Sequence, residues 1–141
     1  MSEAAPQDGH AFPLRVYYED TDAGGIVYYA NYLRFAERAR TEMLRGLGVE
    51  SSDLMADDGV ALAVRHCAAD YMRPARLDDA LTIETRVTGV GGATLELEQT
   101  VRRGDEDLVR LDLKLGCMGL DGRPKRLPQH LRDLLSEFQD G

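Results

Sequence analysis

The sequence predicts an α+β layer, a five-stranded antiparallel sheet covered by one long helix. Three observations carry this. Residues 30–47 place apolar side chains at steps of three and four, the period of a helix. After Gly59 most of the chain alternates apolar and polar residues, the period of strands. Short turns separate these strands, and such turns join antiparallel neighbours, because a parallel pair needs a long crossover.

Residues 1–13 read as a flexible lead-in and residues 14–138 as a single domain. Over residues 14–20, Leu14, Val16 and Tyr18 alternate with Arg15, Tyr17 and Glu19, which predicts a half-buried strand. Ala23-Gly24-Gly25 breaks it. In the long helix, Leu33, Ala36, Ala39, Met43 and Leu47 form the apolar stripe. Arg34, Glu37, Arg38, Arg40, Glu42 and Arg45 form the charged face, so the helix packs on something flat. Its start is open between Ala30, with Tyr29 as the cap, and Asn31. Gly46 and Gly48 stop it. Ser51 and Ser52 read as caps of one short helical turn.

Residues 60–72 then read as a long strand and residues 74–79 as a turn. Leu81, Ile83, Thr85 and Val87 define a second strand of this series, and Leu95, Leu97 and Val101 a third. Leu111, Leu113, Leu115 and Cys117 define the fourth. Leu131, Leu134, Leu135 and Phe138 predict a short C-terminal helix.

The 141 residues favour one domain, and 43% apolar content is enough for a real core. The formal net charge of −8 argues against non-specific nucleic-acid binding, which needs a basic face. The polar start of the chain does not resemble a signal peptide, and no stretch approaches the roughly 20 apolar residues of a membrane span. The expected location is the cytoplasm. Cys67 and Cys117 form no CxxC pair and read as buried free thiols.

Several chemistries fit poorly. None of the four serines lies in a GxSxG elbow. His10, His66 and His130 show no metal-ligand spacing. The glycines form neither GxGxxG nor a P-loop. The acids Glu19, Asp20 and Asp22 remain. They read either as a solvated acidic turn or as part of a site. Asp22 lies beside Gly24-Gly25, where backbone can approach a ligand closely. The helix that follows presents unpaired N–H groups and a partial positive charge at its start.

Residues 15–45, RVYYEDTDAGGIVYYANYLRFAERARTEMLR, resemble the signature of the YbgC-type acyl-CoA thioesterases, in the 4-hydroxybenzoyl-CoA thioesterase group of hotdog-fold enzymes. Residues 71–81, YMRPARLDDAL, resemble that family's hairpin between its second and third strands. The resemblance spans residues 13–138. It implies a hotdog fold, a sheet wrapped around the long helix, and hydrolysis of acyl-CoA without metal or cofactor. It implies that subunits pair edge to edge with each site between two of them, as a homodimer or, alternatively, a homotetramer. The family's catalytic carboxylate falls on Asp22, as nucleophile or general base. Its oxyanion-binding backbone N–H falls on Tyr29. Some members carry histidine there, so no auxiliary imidazole is carried over to this chain.

Glu19 and Asp20 are like charges that would tune Asp22 if they face it. Arg73, Arg76, Arg123, Lys125 and Arg126 lie near turns and are candidates for CoA phosphates, none of them assigned. The rival reading is a weakly catalytic or non-catalytic partner in Tol-Pal or phospholipid-synthesis assemblies. A hotdog dehydratase shares the expected fold, but its histidine-centred site has no match in residues 15–45.

Overall fold

The computed structural model describes residues 9–140. Strand β1 (His10–Arg15) leads through a 3-10 turn (Tyr18–Asp20) and a loop into helix α1 (Asn31–Gly46). Helix α2 (Ser51–Asp53) runs on as a π turn (Leu54–Asp58). Strands β2 (Val60–Tyr71), β3 (Ala80–Val90), β4 (Thr94–Arg103) and β5 (Glu106–Gly119) follow, then helix α3 (Gln129–Asp140). The strands form one sheet in the order β1-β3-β4-β5-β2, antiparallel throughout. This is the expected five-stranded sheet with one long helix against it.

The first strand differs from expectation. Residues 1–8 of the predicted lead-in lie outside the described residues, but residues 10–13 already pair with β3. The strand also ends early, at Arg15. The Asp20 carboxylate accepts from Tyr17 N–H at 2.8 Å, and Thr21 Oγ1 donates to Tyr18 O at 2.8 Å. These local side-chain bonds offer the backbone an alternative to the ladder, so the chain turns although its polarity still alternates.

Helix α1 buries Tyr32, Phe35, Ala36, Ala39, Met43 and Leu44. This face is rotated from the predicted stripe, and Leu33 is exposed. Ala36 and Ala39 are fully buried, and their small side chains let the helix lie close to the sheet. Ser51 and Ser52 are not caps as expected. They are exposed residues inside α2, and the cap position is Glu50, with no side-chain capping bond.

The interior has two apolar clusters. One gathers Tyr32, Phe35, Ile83, Val101, Leu108 and Leu111 around the start of α1. The other gathers Met43, Val87, Leu97, Leu115, Leu131 and Leu135 around its end and α3. Between them lies a polar seam. Gln99 Nε2 donates to Ala36 O and to Thr85 Oγ1, both at 2.9 Å, and Gln99 Oε1 accepts from Arg40 Nη1 at 3.3 Å. Gln99 and Thr85 are fully buried. All of Gln99's principal groups are engaged, which offsets the cost of burying an amide. Arg40, expected on the charged face, is thereby drawn half under the helix.

Edge strand β2 is only partly covered. Its pairing with β5 shifts register between Val64 and His66, which leaves Arg65 as the extra residue of a bulge. The bulge keeps Val64, Cys67, Ala69 and Tyr71 opposite the inward residues Leu115, Leu113, Leu111 and Val109. Helix α1 lies mainly across β1, β3 and β4. Val64 and Tyr71 are consequently 46% and 45% exposed, despite facing the helix side of the sheet. Cys67 is exposed for the same reason, against the expectation of a buried thiol, whereas Cys117 is buried.

Candidate active site

The loop between the 3-10 turn and α1 folds back on itself. Thr21 and Val27 form a bridge, Asp22 N–H donates to Ile26 O at 3.0 Å, and Gly25 N–H donates to Asp22 O at 3.0 Å. Gly25 closes this turn at φ +76°, a left-handed conformation that costs glycine nothing. Asp22 is exposed at the turn, and its Oδ1 accepts from Gly24 N–H at 3.0 Å. One carboxylate oxygen is thus oriented by the loop backbone.

The loop runs directly into α1. Tyr28 N–H donates to Asp20 O at 3.1 Å, and Asn31 Nδ2 donates to the same oxygen at 2.9 Å. The helix starts at Asn31 and not at Ala30; Ala30 is the cap, with no side-chain capping bond. Asn31 therefore uses its side chain to tie the helix start to the 3-10 turn and not to cap. Among the described residues, the N–H of Tyr29 has no hydrogen-bond acceptor. Asp22 and Tyr29 thus sit on one folded ribbon, an oriented carboxylate at one end and a free backbone donor at the other. Asp20 is engaged with Tyr17 N–H, and Glu19 is exposed.

The Tyr29 ring packs against Tyr28 and Tyr71, with centroids 5.0 and 5.9 Å away. Tyr29, Tyr32, Tyr71, Met72, Arg73 and Ile26 line a cleft of about 230 Å³ at the start of α1. Burial pushes the Tyr32 phenol above its ordinary value, against the opposing hydrogen bond from Ala75 N–H. Partial burial also raises Tyr71, helped by Cys67 and Tyr29. Both phenols are neutral at pH 7 and offer O–H groups without charge. Tyr32, Tyr71 and Met72 carried no site signal at the level of residue pattern. Tyr71 and Met72 lie within the second resembling segment, and only the folding of β2 beside α1 brings them to Tyr29.

The five basic candidates separate. Arg73 lines the cleft and donates to Glu106 at 2.9 Å, and Arg76 pairs with Ile26. Arg123, Lys125 and Arg126 lie elsewhere. Their segment is tied to Cys117 and Gly92 and leads to Leu127, in the cluster around the far end of α1. His66 is exposed and His130 lies 3.2 Å from Asp58. Among the described residues no cluster of three or more His, Cys, Asp or Glu could hold a metal ion. No helix among them is long and apolar enough to cross a membrane.

With this geometry, comparison with known proteins is decisive. The family model of the thioesterase superfamily matches residues 24–110. The chain belongs to the thioesterase superfamily. It is 44% identical over 126 residues to the acyl-CoA thioesterase YbgC of Haemophilus influenzae, an alignment covering 89% of this chain and 93% of that one. It is 42% identical over 130 residues to the acyl-CoA thioester hydrolase YbgC of Escherichia coli, covering 91% and 94%. The crystal structure of a probable thioesterase from Bartonella henselae superposes with a TM-score of 0.83 at 39% identity, covering 85% of this chain and 99% of that one. The fold is therefore the hotdog fold of these thioesterases, and this superfamily member is an enzyme that hydrolyses thioesters.

Proposed function

We propose that this thioesterase hydrolyses acyl-CoA to a carboxylic acid and free CoA, with Asp22 and the backbone N–H of Tyr29 as its catalytic groups. The observation that carries the assignment is the unpartnered Tyr29 N–H at the start of α1, on the same ribbon as the oriented Asp22 carboxylate. The curated YbgC relatives supply the acyl-CoA substrate class.

The chemistry follows from the two groups. As a nucleophile, the Asp22 carboxylate adds to the thioester carbonyl carbon and the π electrons move to the carbonyl oxygen. The Tyr29 N–H and the positive end of the α1 dipole stabilise that oxyanion. Collapse breaks the C–S bond, CoA leaves as thiolate, and water hydrolyses the resulting anhydride. As a general base, Asp22 instead takes a proton from the attacking water. Both routes pass through a tetrahedral oxyanion. One preorganised donor of this kind lowers the barrier by about 3 kcal/mol.

The working unit is a homodimer formed through β2, with a homotetramer as the larger alternative. Edge strand β2 leaves unpaired backbone groups, and Val64 and Tyr71 expose apolar surface on the helix side. A second copy would cover that surface and close the cleft beside Tyr29. The enzyme acts in the cytoplasm, where CoA esters are available.

The test is an acyl-CoA panel of graded chain length run on wild type and Asp22→Asn. The amide can neither add to the carbonyl nor take a proton, so kcat should fall by about 10²-fold or more while the fold is retained. Near wild-type hydrolysis by Asp22→Asn would overturn the assignment. No hydrolysis of any acyl-CoA by wild type, with partner capture that survives Asp22→Asn, would favour the interaction role.

A further inference from the structure

The loop carrying Asp22 is held from outside by the segment between β2 and β3. Val27 N–H donates to Ala75 O at 2.9 Å, Leu77 N–H donates to Gly25 O at 3.0 Å, and Ile26 bridges Arg76. From α1, Tyr32 Oη accepts from Ala75 N–H at 2.9 Å. Residues 72–79 therefore form the back wall against which the catalytic ribbon is built.

That wall is itself clamped by one side chain of β4. Arg103 Nη1 donates to Asp79 Oδ2 at 2.7 Å and to Pro74 O at 3.4 Å. Arg103 Nη2 and Nε donate to Glu106 Oε1 at 2.8 and 3.2 Å. Asp79 Oδ2 also accepts from Arg76 N–H at 2.8 Å, and Glu106 also accepts from Arg73. The planar fork of Arg103 thus grips both ends of the wall and anchors them to the β4–β5 turn. Surface ion pairs are usually weak. This one differs because a single guanidinium joins two carboxylates and a backbone carbonyl, and its fork is pre-organised.

We propose that Arg103, with Asp79, is a positioning residue for the thioester hydrolysis proposed above: it sets the wall that aims Asp22 relative to the Tyr29 N–H. It touches no reacting atom. Its effect passes from Arg103 to residues 74–79, then to Gly25, Ile26 and Val27, and so to Asp22. The inference rests on the assignment of Asp22 and Tyr29.

The experiment compares Arg103→Met, Arg103→Lys, Asp79→Asn and the double variant Arg103→Met with Asp79→Asn in the full chain by steady-state kinetics and residue-resolved amide exchange. A displacement of about 1 Å at reacting groups costs on the order of 10²-fold in rate. Arg103→Met should lower kcat about 10-fold or more with KM within about two-fold. Lysine keeps the charge but not the fork, so Arg103→Lys should recover part of kcat. The Arg103→Met and Asp79→Asn losses should combine to less than their product, because both break one contact. Amide exchange should speed up at Gly25, Val27 and Leu77. If Arg103→Met does not fold, Arg103→Lys alone decides by the same kcat and exchange criteria. A raised KM with kcat unchanged would overturn the proposal and make Arg103 a contact for CoA. Unchanged kcat and exchange would also overturn it. Wild type inactive on every acyl-CoA would refute the assigned reaction instead, and the exchange result would still report on the clamp.

Discussion

Replacing Tyr32 by phenylalanine removes one oxygen and tests how the helix start is fastened to the rest of the site. The Tyr32 ring is 3% exposed and packs edge-on to Phe35 at 6.0 Å, so Tyr32→Phe keeps the packing and its apolar burial. It removes the acceptor for Ala75 N–H, a 2.9 Å bond in the interior. Ala75 is fully buried, so its amide cannot turn to water without opening the wall. An unsatisfied buried donor costs about 1–3 kcal/mol. At about 2.1 cal/mol/K per residue, the unfolding entropy of this chain is about 0.3 kcal/mol/K. A loss of about 2 kcal/mol then lowers Tm by about 7 °C. Activity should fall too, because the Ala75 carbonyl on the other side of the same peptide segment holds Val27. The assay is thermal and urea unfolding at matched protein concentration, since association would itself stabilise the fold. A Tm within about 1 °C of wild type, with no loss of kcat, would show that the hydroxyl is not needed and would refute this account.

The polar seam gives a second prediction. Gln99→Leu leaves Ala36 O, Thr85 Oγ1 and Arg40 without their partner and should cost about 2–4 kcal/mol in urea unfolding. Adding Thr85→Val should cost less than a further independent loss, and strict additivity would argue against the seam as one unit. A third prediction concerns acid. Partial burial raises the Asp79 carboxyl, but the Arg76 N–H and Arg103 outweigh it and the net value falls below its ordinary 3.8. The Arg103 hydrogen bond, against some desolvation, holds Glu106 below its ordinary 4.5. Both groups are depressed in the fold, so their contribution is complete above those ordinary values and is lost as pH falls through the lower folded ones. The stability gap between wild type and Arg103→Met should be constant from pH 7 to about 5 and shrink below about 4.5. A urea-midpoint difference that stays flat to pH 2.5 would contradict it.

Much of the molecule was legible from pattern because its elements are long and regular. The period of α1 and the alternation of β2 to β5 reflect which residues must leave water, and that is written locally. The failures share one cause. Asp20 and Thr21 bend the first strand through side-chain bonds that polarity alternation does not register. Leu33 and Cys67 look like core residues, yet Leu33 lies off the face that α1 buries and Cys67 lies on β2, which α1 leaves uncovered. Arg40 looks like a surface charge, yet a glutamine 59 positions further along the chain draws it inward.

The same division holds for the site. By itself the sequence determined the fold class, the family resemblance and the candidacy of Asp22 and Tyr29, since these depend on a contiguous segment. Only the tertiary structure decided that the Tyr29 N–H is free, that Tyr32, Tyr71 and Met72 form the cleft, and that Arg103 clamps the wall behind Asp22. Those facts join residues far apart in the chain, Tyr29 with Tyr71 and Arg103 with Asp79. Contacts at such separations are set by how the sheet and helix pack, and a one-dimensional pattern carries no measure of that distance.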